Sequence, residues 1–157
     1  MKAFKITDIR NCMNKLLTGD TFEDFLLEQA TVRTYNEFTI DGRIQKDFFD
    51  EKEEELPPYD FSNWQDIQSY VHSFIKGKKT PLGIHLVMRL KPDKEAFISE
   101  DSSRNYILNV HYSEGKLSLV SATYQKEFSL DKDPEKKWDL YLTQFLIKKD
   151  ISFEEMS

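Results

Sequence analysis

This sequence of 157 residues is poor in the residue types that usually mark a cofactor, metal or redox site. It has one cysteine, five glycines and five prolines. A single cysteine forms no intramolecular disulfide, and the motifs Cys-x-x-Cys and His-Glu-x-x-His do not occur. The glycines form no phosphate-binding loop, and no serine lies in a Gly-x-Ser-x-Gly motif. We therefore predict no cofactor and no metal site, and we disfavour a nucleotide-dependent enzyme, an α/β-hydrolase and a zinc peptidase.

Long apolar runs are also missing. The positively charged start, residues 1–5, is not followed by the apolar stretch of a secretory signal, and no window approaches the roughly 18 apolar residues of a membrane span. Cys12 lies on the apolar side of a predicted helix, where a buried and inert thiol is expected. These features predict a cytoplasmic protein without a membrane partner.

The charge balance limits the partners. The net charge is −6, from 28 acidic and 22 basic side chains. Because phosphate backbones are held mainly by clustered Lys and Arg, this balance makes a nucleic-acid partner unlikely, although a local basic patch is still compatible with it. Aromatic residues are abundant, with 12 Phe, 7 Tyr and 2 Trp, and they are expected mainly in the core.

The hydrophobic pattern predicts one α+β domain over residues 1–157. Alternation of period two indicates a mainly antiparallel, twisted sheet of five to seven strands, and two or three amphipathic helices should cover its apolar face. The strands are expected within residues 2–6, 30–49, 84–90 and 105–130. The helices are expected near residues 8–18, 62–76 and 134–149.

The C-terminal third carries the clearest pattern. Two alternating runs flank a turn at Ser113–Lys116, and an amphipathic helix begins at Asp133-Pro134. Trp138 is the first residue of the apolar stripe of this helix, so we expect it to lie against the sheet.

Two weaker local patterns concern the N-terminal half. A short helix is expected from Asp20, with Phe22, Phe25 and Leu26 on one side. The dipeptide Asp41-Gly42 is a strong signal for a hairpin turn with positive φ at the glycine, after which residues 43–49 should return as the partner strand. Residues 46–49 alternatively suit a short helix.

Histidine is the commonest metal ligand and general base near neutral pH. His85 and His111 each occupy the polar phase of a predicted strand. If those strands are neighbours, both imidazoles lie on one exposed face of the sheet with Arg89 and Asn109 nearby. Such a face is a candidate anion or ligand surface, but the polar face of an antiparallel sheet also simply meets water. An enzyme that combines either histidine with a carboxylate from elsewhere is a further alternative.

A second candidate site is the loop Lys76-Gly77-Lys78-Lys79-Thr80-Pro81. Its three ammonium groups within four positions, beside a glycine turn, suit an anion such as phosphate. The alternative is a purely structural role, in which the lysines complement the dipole of the preceding helix and Gly77 ends this helix.

Three stretches resemble an uncharacterised bacterial family that is classed as a domain of unknown function. They are residues 1–9, 34–43 (Thr-Tyr-Asn-Glu-Phe-Thr-Ile-Asp-Gly-Arg) and 75–82 (Ile-Lys-Gly-Lys-Lys-Thr-Pro-Leu). The resemblance implies a compact bacterial cytoplasmic protein. It brings no activity, cofactor or catalytic residue.

For function, the sequence favours a non-enzymatic binding or protein-interaction module with an unknown protein or small-molecule partner, or a homodimer. Anion or nucleic-acid binding at the Lys76–Pro81 loop is the first alternative. An enzyme built on His85 or His111 is the second.

Overall fold

A computed structural model describes residues 1–49, 56–75, 77, 79–99 and 104–156. Within them, eight strands form one sheet: β1 Ala3–Ile6, β2 Phe25–Arg33, β3 Glu37–Asp41, β4 Ser62–Asn63, β5 Gly83–Leu90, β6 Arg104–Ser113, β7 Lys116–Gln125 and β8 Phe153–Met156. The α-helices of the described residues are α1 Ile9–Leu17, α2 Trp64–Phe74, α3 Pro92–Glu95 and α4 Asp133–Lys148. A 3-10 turn covers Lys46–Phe48. The predicted α+β class is confirmed.

The strands follow the order β3-β2-β5-β6-β7-β1-β8, and β4 pairs separately with β2. All recorded pairings are antiparallel. The described chain thus has more strands than the predicted five to seven. The extra elements include β4, which has only two residues, and β8, in which three of the four residues are exposed, so that neither shows a clear alternation of buried and exposed positions.

Alternate residues of the central strands build the core on one face of the sheet. In β5, Ile84, Leu86 and Met88 are buried, and their register partners in β6 are buried as well. Side chains of α1, α2 and α4 belong to the same hydrophobic cluster. On the opposite face, which we call the open face, residues of the central strands are half-buried or exposed: Thr31, His85, Val87, Asn109 and His111. Among the described residues, no helix has both the length and the apolar character that a membrane crossing requires.

Helix α4 docks on the core face through Trp138. The indole is fully buried, and its Nε1–H donates to the backbone carbonyl of Ile107 at 3.0 Å. Its ring lies 5.6 Å from that of Tyr106 and 6.4 Å from that of Phe25. The expected position of Trp138 against the sheet is confirmed.

The ends of the helices are tied to each other by side chains. Trp64 Nε1 and Gln68 Nε2, both on α2, donate to the carbonyl of Leu16 in the last turn of α1, at 2.8 and 3.1 Å. Lys15 of α1 donates in turn to the carbonyl of Lys149, just after α4. Carbonyls in the last turn lack helical partners, so these contacts stabilise the helix ends and fix the three helices relative to one another.

The β6–β7 hairpin forms as predicted. Ser113 pairs with Lys116, and the two residues between them both have positive φ, 53° at Glu114 and 75° at Gly115. This combination is typical of a type I′ turn, whose twist matches that of the flanking strands.

The helix predicted from Asp20 is wrong. Residues 21–24 form turns, and strand β2 begins at Phe25. Phe25, Leu26 and Leu27 are all buried, so this end of the strand is covered on both faces. A continuous apolar run of this kind lacks the alternation that identifies a strand, and it was therefore mistaken for the side of a helix.

The hairpin predicted at Asp41-Gly42 is also wrong. Strand β2 turns instead at residues 34–36 and pairs with β3, in the register Arg33 to Glu37. The φ angle of Gly42 is not positive. Its N–H donates to the carbonyl of Glu28, and a Cβ on it would lie 1.8 Å from the carbonyl oxygen of Leu27. Glycine is required here because two backbones meet, and not because of its φ angle.

Candidate functional site

His85 and His111 are register partners in the neighbouring strands β5 and β6. Their ring centroids are 5.9 Å apart, with the ring planes nearly perpendicular at 89°. Both side chains are exposed on the open face. The expectation that the two imidazoles share one face of the sheet is confirmed.

Arg33 completes this group, although no local pattern in the sequence points to it. A cavity of about 70 Å³ is lined by Thr31, Arg33, His85 and His111, together with Gly83, Ile84 and Tyr112. Thr31 is the register partner of His85 across β2 and β5. We call Thr31, Arg33, His85 and His111 the histidine–arginine cluster.

Gly83 explains why the guanidinium of Arg33 lies in this place. A Cβ on Gly83 would approach Arg33 Nη2 to 2.6 Å, so the guanidinium lies across the strand where a side chain would otherwise stand. Gly83 is the register partner of Arg33. The signal that would have revealed Arg33 is therefore a glycine at the start of a strand opposite an arginine.

Arg89 lies on the same face but is not part of the cluster. It is four residues beyond His85 along β5, a separation of about 13 Å. Its Nη2 donates to Glu28 Oε1 at 2.5 Å, and its guanidinium lies 4.7 Å from the ring centroid of Phe61. Arg89 thus stabilises the other end of the sheet.

The lysine loop is described in part. Lys76 and Lys78 lie outside the described residues, whereas Lys79 and Thr80 are exposed. Gly77 has a φ of 69° and follows the end of α2, as expected for a glycine that ends a helix. The predicted role of Lys76 and Lys78 in an anion site remains a prediction.

Lys79 and Thr80 line a groove of about 420 Å³, which we call the aromatic groove. Its lining residues are Thr34, Tyr35, Phe74, Lys79, Thr80 and Leu82. The Leu82 N–H donates to the carbonyl of Arg33 at 2.8 Å, and this bond ties the lysine loop to the β2–β3 turn. The groove thus joins a turn, a helix end and a loop that are far apart in the sequence.

The walls of the aromatic groove combine ordered rings with polar groups. Phe74 stacks on Phe38 with centroids 4.4 Å apart and planes 5° from parallel, and Tyr35 meets Phe38 edge-on at 5.6 Å. Tyr35 is nevertheless 68% exposed and Leu82 is 65% exposed. Within the described part of the chain, the buried hydroxyl oxygen of Thr34 has no hydrogen-bond partner. Such a group is uncommon in a folded protein and suits a ligand contact.

Carboxylates gather elsewhere. A cavity of about 230 Å³ next to Trp138 is lined by Glu135, Asp139 and Ser121, and the Ser121 hydroxyl donates to Asp139. This cavity lies beside α4, whereas the histidine–arginine cluster lies on the open face. In the part of the chain that the structure describes, no carboxylate lines the cavity of the cluster. In the described ranges, no group of three or more His, Cys, Asp or Glu is placed to hold a metal ion.

Cys12 is expected to be unreactive in the folded protein. Burial raises the pKa of its thiol to about 12. At pH 8 roughly one thiol in ten thousand is then ionised, and only the thiolate attacks disulfide reagents. Native protein should therefore label slowly with 5,5′-dithiobis(2-nitrobenzoate), and protein in denaturant should label fast. Equally fast labelling in both states would contradict the burial of Cys12.

Comparison with known proteins places the chain in a family. Neither a curated protein nor a solved structure matched it. The sequence profile described as "Family of unknown function (DUF5721)" matches residues 15–154. This match covers both the histidine–arginine cluster and the aromatic groove. Since it spans most of the 157 residues, the chain belongs to DUF5721, a family of unknown function.

Proposed function

We propose that this protein is a non-enzymatic binding module that holds a small molecule in the aromatic groove. The ligand has a planar or apolar body and one acidic group. The observation that carries the proposal is the combination, in one groove, of exposed apolar walls, a lysine and a buried hydroxyl that lacks a partner.

The size and lining of the groove support a small molecule. Its volume of about 420 Å³ falls within the usual range of ligand pockets, which are mostly apolar with a few convergent polar groups. Tyr35 and Leu82 supply exposed apolar surface, whereas the stack of Phe38 on Phe74 holds one wall rigid. A planar body could lie against these side chains and gain the stabilisation of ring contacts.

The polar groups favour an acidic ligand. Lys79 carries a positive charge at the rim, and Thr34 and Thr80 offer hydroxyl donors. In a protein of net charge −6, an exposed lysine next to an apolar wall would guide an anion to this groove. A long nucleic acid is less suitable, because the net negative charge would repel its phosphates outside this patch.

The cellular setting belongs to the same proposal. The single buried cysteine is compatible with a reducing compartment, and the resemblance was to a bacterial family. We therefore propose that the module works in the bacterial cytoplasm.

Binding of 1-naphthyl phosphate tests the proposal. Two control ligands accompany it: 1-naphthol, which has the ring but no charge, and inorganic phosphate, which has the charge but no ring. We expect saturable binding of 1-naphthyl phosphate by isothermal titration calorimetry, and much weaker binding of either half alone. Added salt should weaken it, since the charge on Lys79 is exposed. Tyr35→Ala and Lys79→Gln should each weaken it on the order of tenfold.

Thr34→Val separates binding from folding. Valine has nearly the shape of threonine but lacks the hydroxyl, so the variant should unfold at no lower denaturant concentration and still bind more weakly. Tyr70→Ala is the matched control for Tyr35, since Tyr70 is 60% exposed on α2 and does not line the groove. Absence of saturable binding, or equal losses in Tyr35→Ala and Tyr70→Ala, would reject the groove as the site.

A further inference from the structure

We propose that the histidine–arginine cluster on the open face is a second binding site, specific for a single phosphate group. This site is independent of the aromatic groove. The groove lies on the core side of the sheet, where Phe38 packs on Phe74, whereas His85 and His111 lie on the opposite face. The two proposals rest on different side chains, and each is tested separately.

The position of Arg33 is the first step of the argument. Strand β2 lies between β3 and β5, and Glu37 is the register partner of Arg33 on the β3 side. The guanidinium extends the other way, over Gly83 of β5, where Nη2 lies 2.6 Å from the position of a Cβ. Its charge is thus directed away from the nearest carboxylate of β3 and towards the two histidines.

The second step is the set of donors around the cavity. Arg33 offers a planar set of N–H groups, His85 and His111 offer ring N–H groups from two further strands, and Thr31 offers a hydroxyl. These donors come from three adjacent strands and line the same cavity, so they can converge on one ligand. Arginine is the side chain that most often recognises phosphate oxygens, because its paired N–H groups match their spacing.

The charge of Arg33 also selects against a metal cation. Two histidines 5.9 Å apart could contribute ligands to zinc, but a permanently charged guanidinium in the same cavity repels a cation. Among the residues that the structure describes, no carboxylate lines the cavity to offset this repulsion. An anion experiences the opposite effect, so the same four side chains favour phosphate over zinc.

The dimensions limit the ligand to one group. The cavity measures about 70 Å³, which is roughly five times the space that one water molecule occupies by the same measure. A phosphate group and its oxygens fit into such a space. A whole nucleotide does not, so any larger ligand would project from the open face into solvent.

Titration with inorganic phosphate, followed by NMR of the histidine rings, tests this site. The chain has three histidines, and His72 on α2 provides an internal reference because it lies outside the cluster. Resonances are assigned with His85→Gln and His111→Gln. We expect saturable shifts of the His85 and His111 rings at constant pH and ionic strength, and no saturable shift of His72. Acetate at equal concentration should have a weaker effect, because it is planar and carries less charge.

Three variants separate position from charge. Arg33→Gln should weaken phosphate binding at least about tenfold. Gly83→Ala keeps every charge but displaces the guanidinium, and it should weaken binding to a similar degree; the displaced group is the end of a flexible side chain, so the fold should persist. Arg10→Gln, at an exposed position of α1, removes the same charge elsewhere and should leave binding unchanged.

Several results would overturn the site. Shifts that grow linearly for all three histidines would indicate non-specific ion effects, and equal binding by Arg33→Gln and Arg10→Gln would remove the role of Arg33. Saturable shifts with zinc chloride but not with phosphate would make the histidine pair a metal site instead. If Gly83→Ala unfolds the protein, the comparison of Arg33→Gln with Arg10→Gln still decides the question.

Discussion

Trp138→Ala is expected to lower the free energy of unfolding by about 3 to 5 kcal/mol. The indole is fully buried between α4 and the sheet, so alanine leaves a large cavity that neighbouring elements fill only in part. The substitution also removes the N–H that donates to the carbonyl of Ile107, and an unpaired buried carbonyl adds to the loss. Because Trp138 is the central contact of α4, the helix should detach or the whole domain should unfold at a lower denaturant concentration.

Urea denaturation followed by circular dichroism measures this effect. Trp138→Phe keeps most of the buried ring area and mainly lacks the hydrogen bond. Its free energy of unfolding should therefore fall by roughly half as much as that of Trp138→Ala. Leu140→Ala is the matched control on the same helix. Leu140 is 57% exposed, and alanine is at least as good a helix former as leucine, so the midpoint should change little. An unchanged midpoint in Trp138→Ala would show that α4 does not dock through this residue.

Gly42→Ala is expected to cost about 3 kcal/mol or more, the upper range for overpacked sites. The added methyl group would overlap the backbone carbonyl of Leu27, at 1.8 Å, and backbone has no alternative rotamer that relieves the contact. Gly42 lies where β3 ends and β4 takes its place beside β2, next to a break in the register between Leu27 and Gln29. The strands would have to separate at this junction.

Gly115 provides the contrasting case. Its φ is 75°, and a Cβ there would meet no atom within 4 Å, so Gly115→Ala should cost only about 1 kcal/mol for its backbone strain. Asparagine tolerates positive φ and should recover part of this loss at position 115, but at position 42 it should be as harmful as alanine. Unfolding midpoints of the four variants check the prediction. A clearly higher unfolding midpoint for Gly42→Asn than for Gly42→Ala would contradict this account and support the hairpin turn predicted at Asp41-Gly42.

The candidate sites were predictable to different degrees. The shared face of His85 and His111 followed from their polar phase in two alternating strands, because side chains alternate strictly between the faces of a sheet. Arg33 was missed although it lies within the predicted strand 30–49, because its own residues do not show which strand lies next to it. Only the pairing of β2 with β5 brings Arg33 opposite Gly83. Arg89 was correctly placed on the same face, but too far along the strand to join the cluster.

The aromatic groove was only half visible in the sequence. The lysine loop stood out by its local charge, and Lys79 and Thr80 indeed line the groove. Its apolar walls come from the β2–β3 turn and from the end of α2, about 40 residues apart in the chain. No local pattern links Tyr35 with Phe74, since their proximity depends on how α2 packs across the sheet.

Local patterns in the sequence were enough to predict the α+β class, the four-residue turn between β6 and β7 and the docking face of α4, because hydrophobic periodicity and turn chemistry are local properties. The order of the strands in the sheet, by contrast, is visible only in the folded chain. Strand β2 pairs with β3 along one part of its length and with β4 along another, and the change occurs near Gly42. Strand β8 forms the edge of the sheet beside β1. These pairings depend on contacts between distant segments, and a strand's own residues show which way its side chains point but not which strand lies next to it.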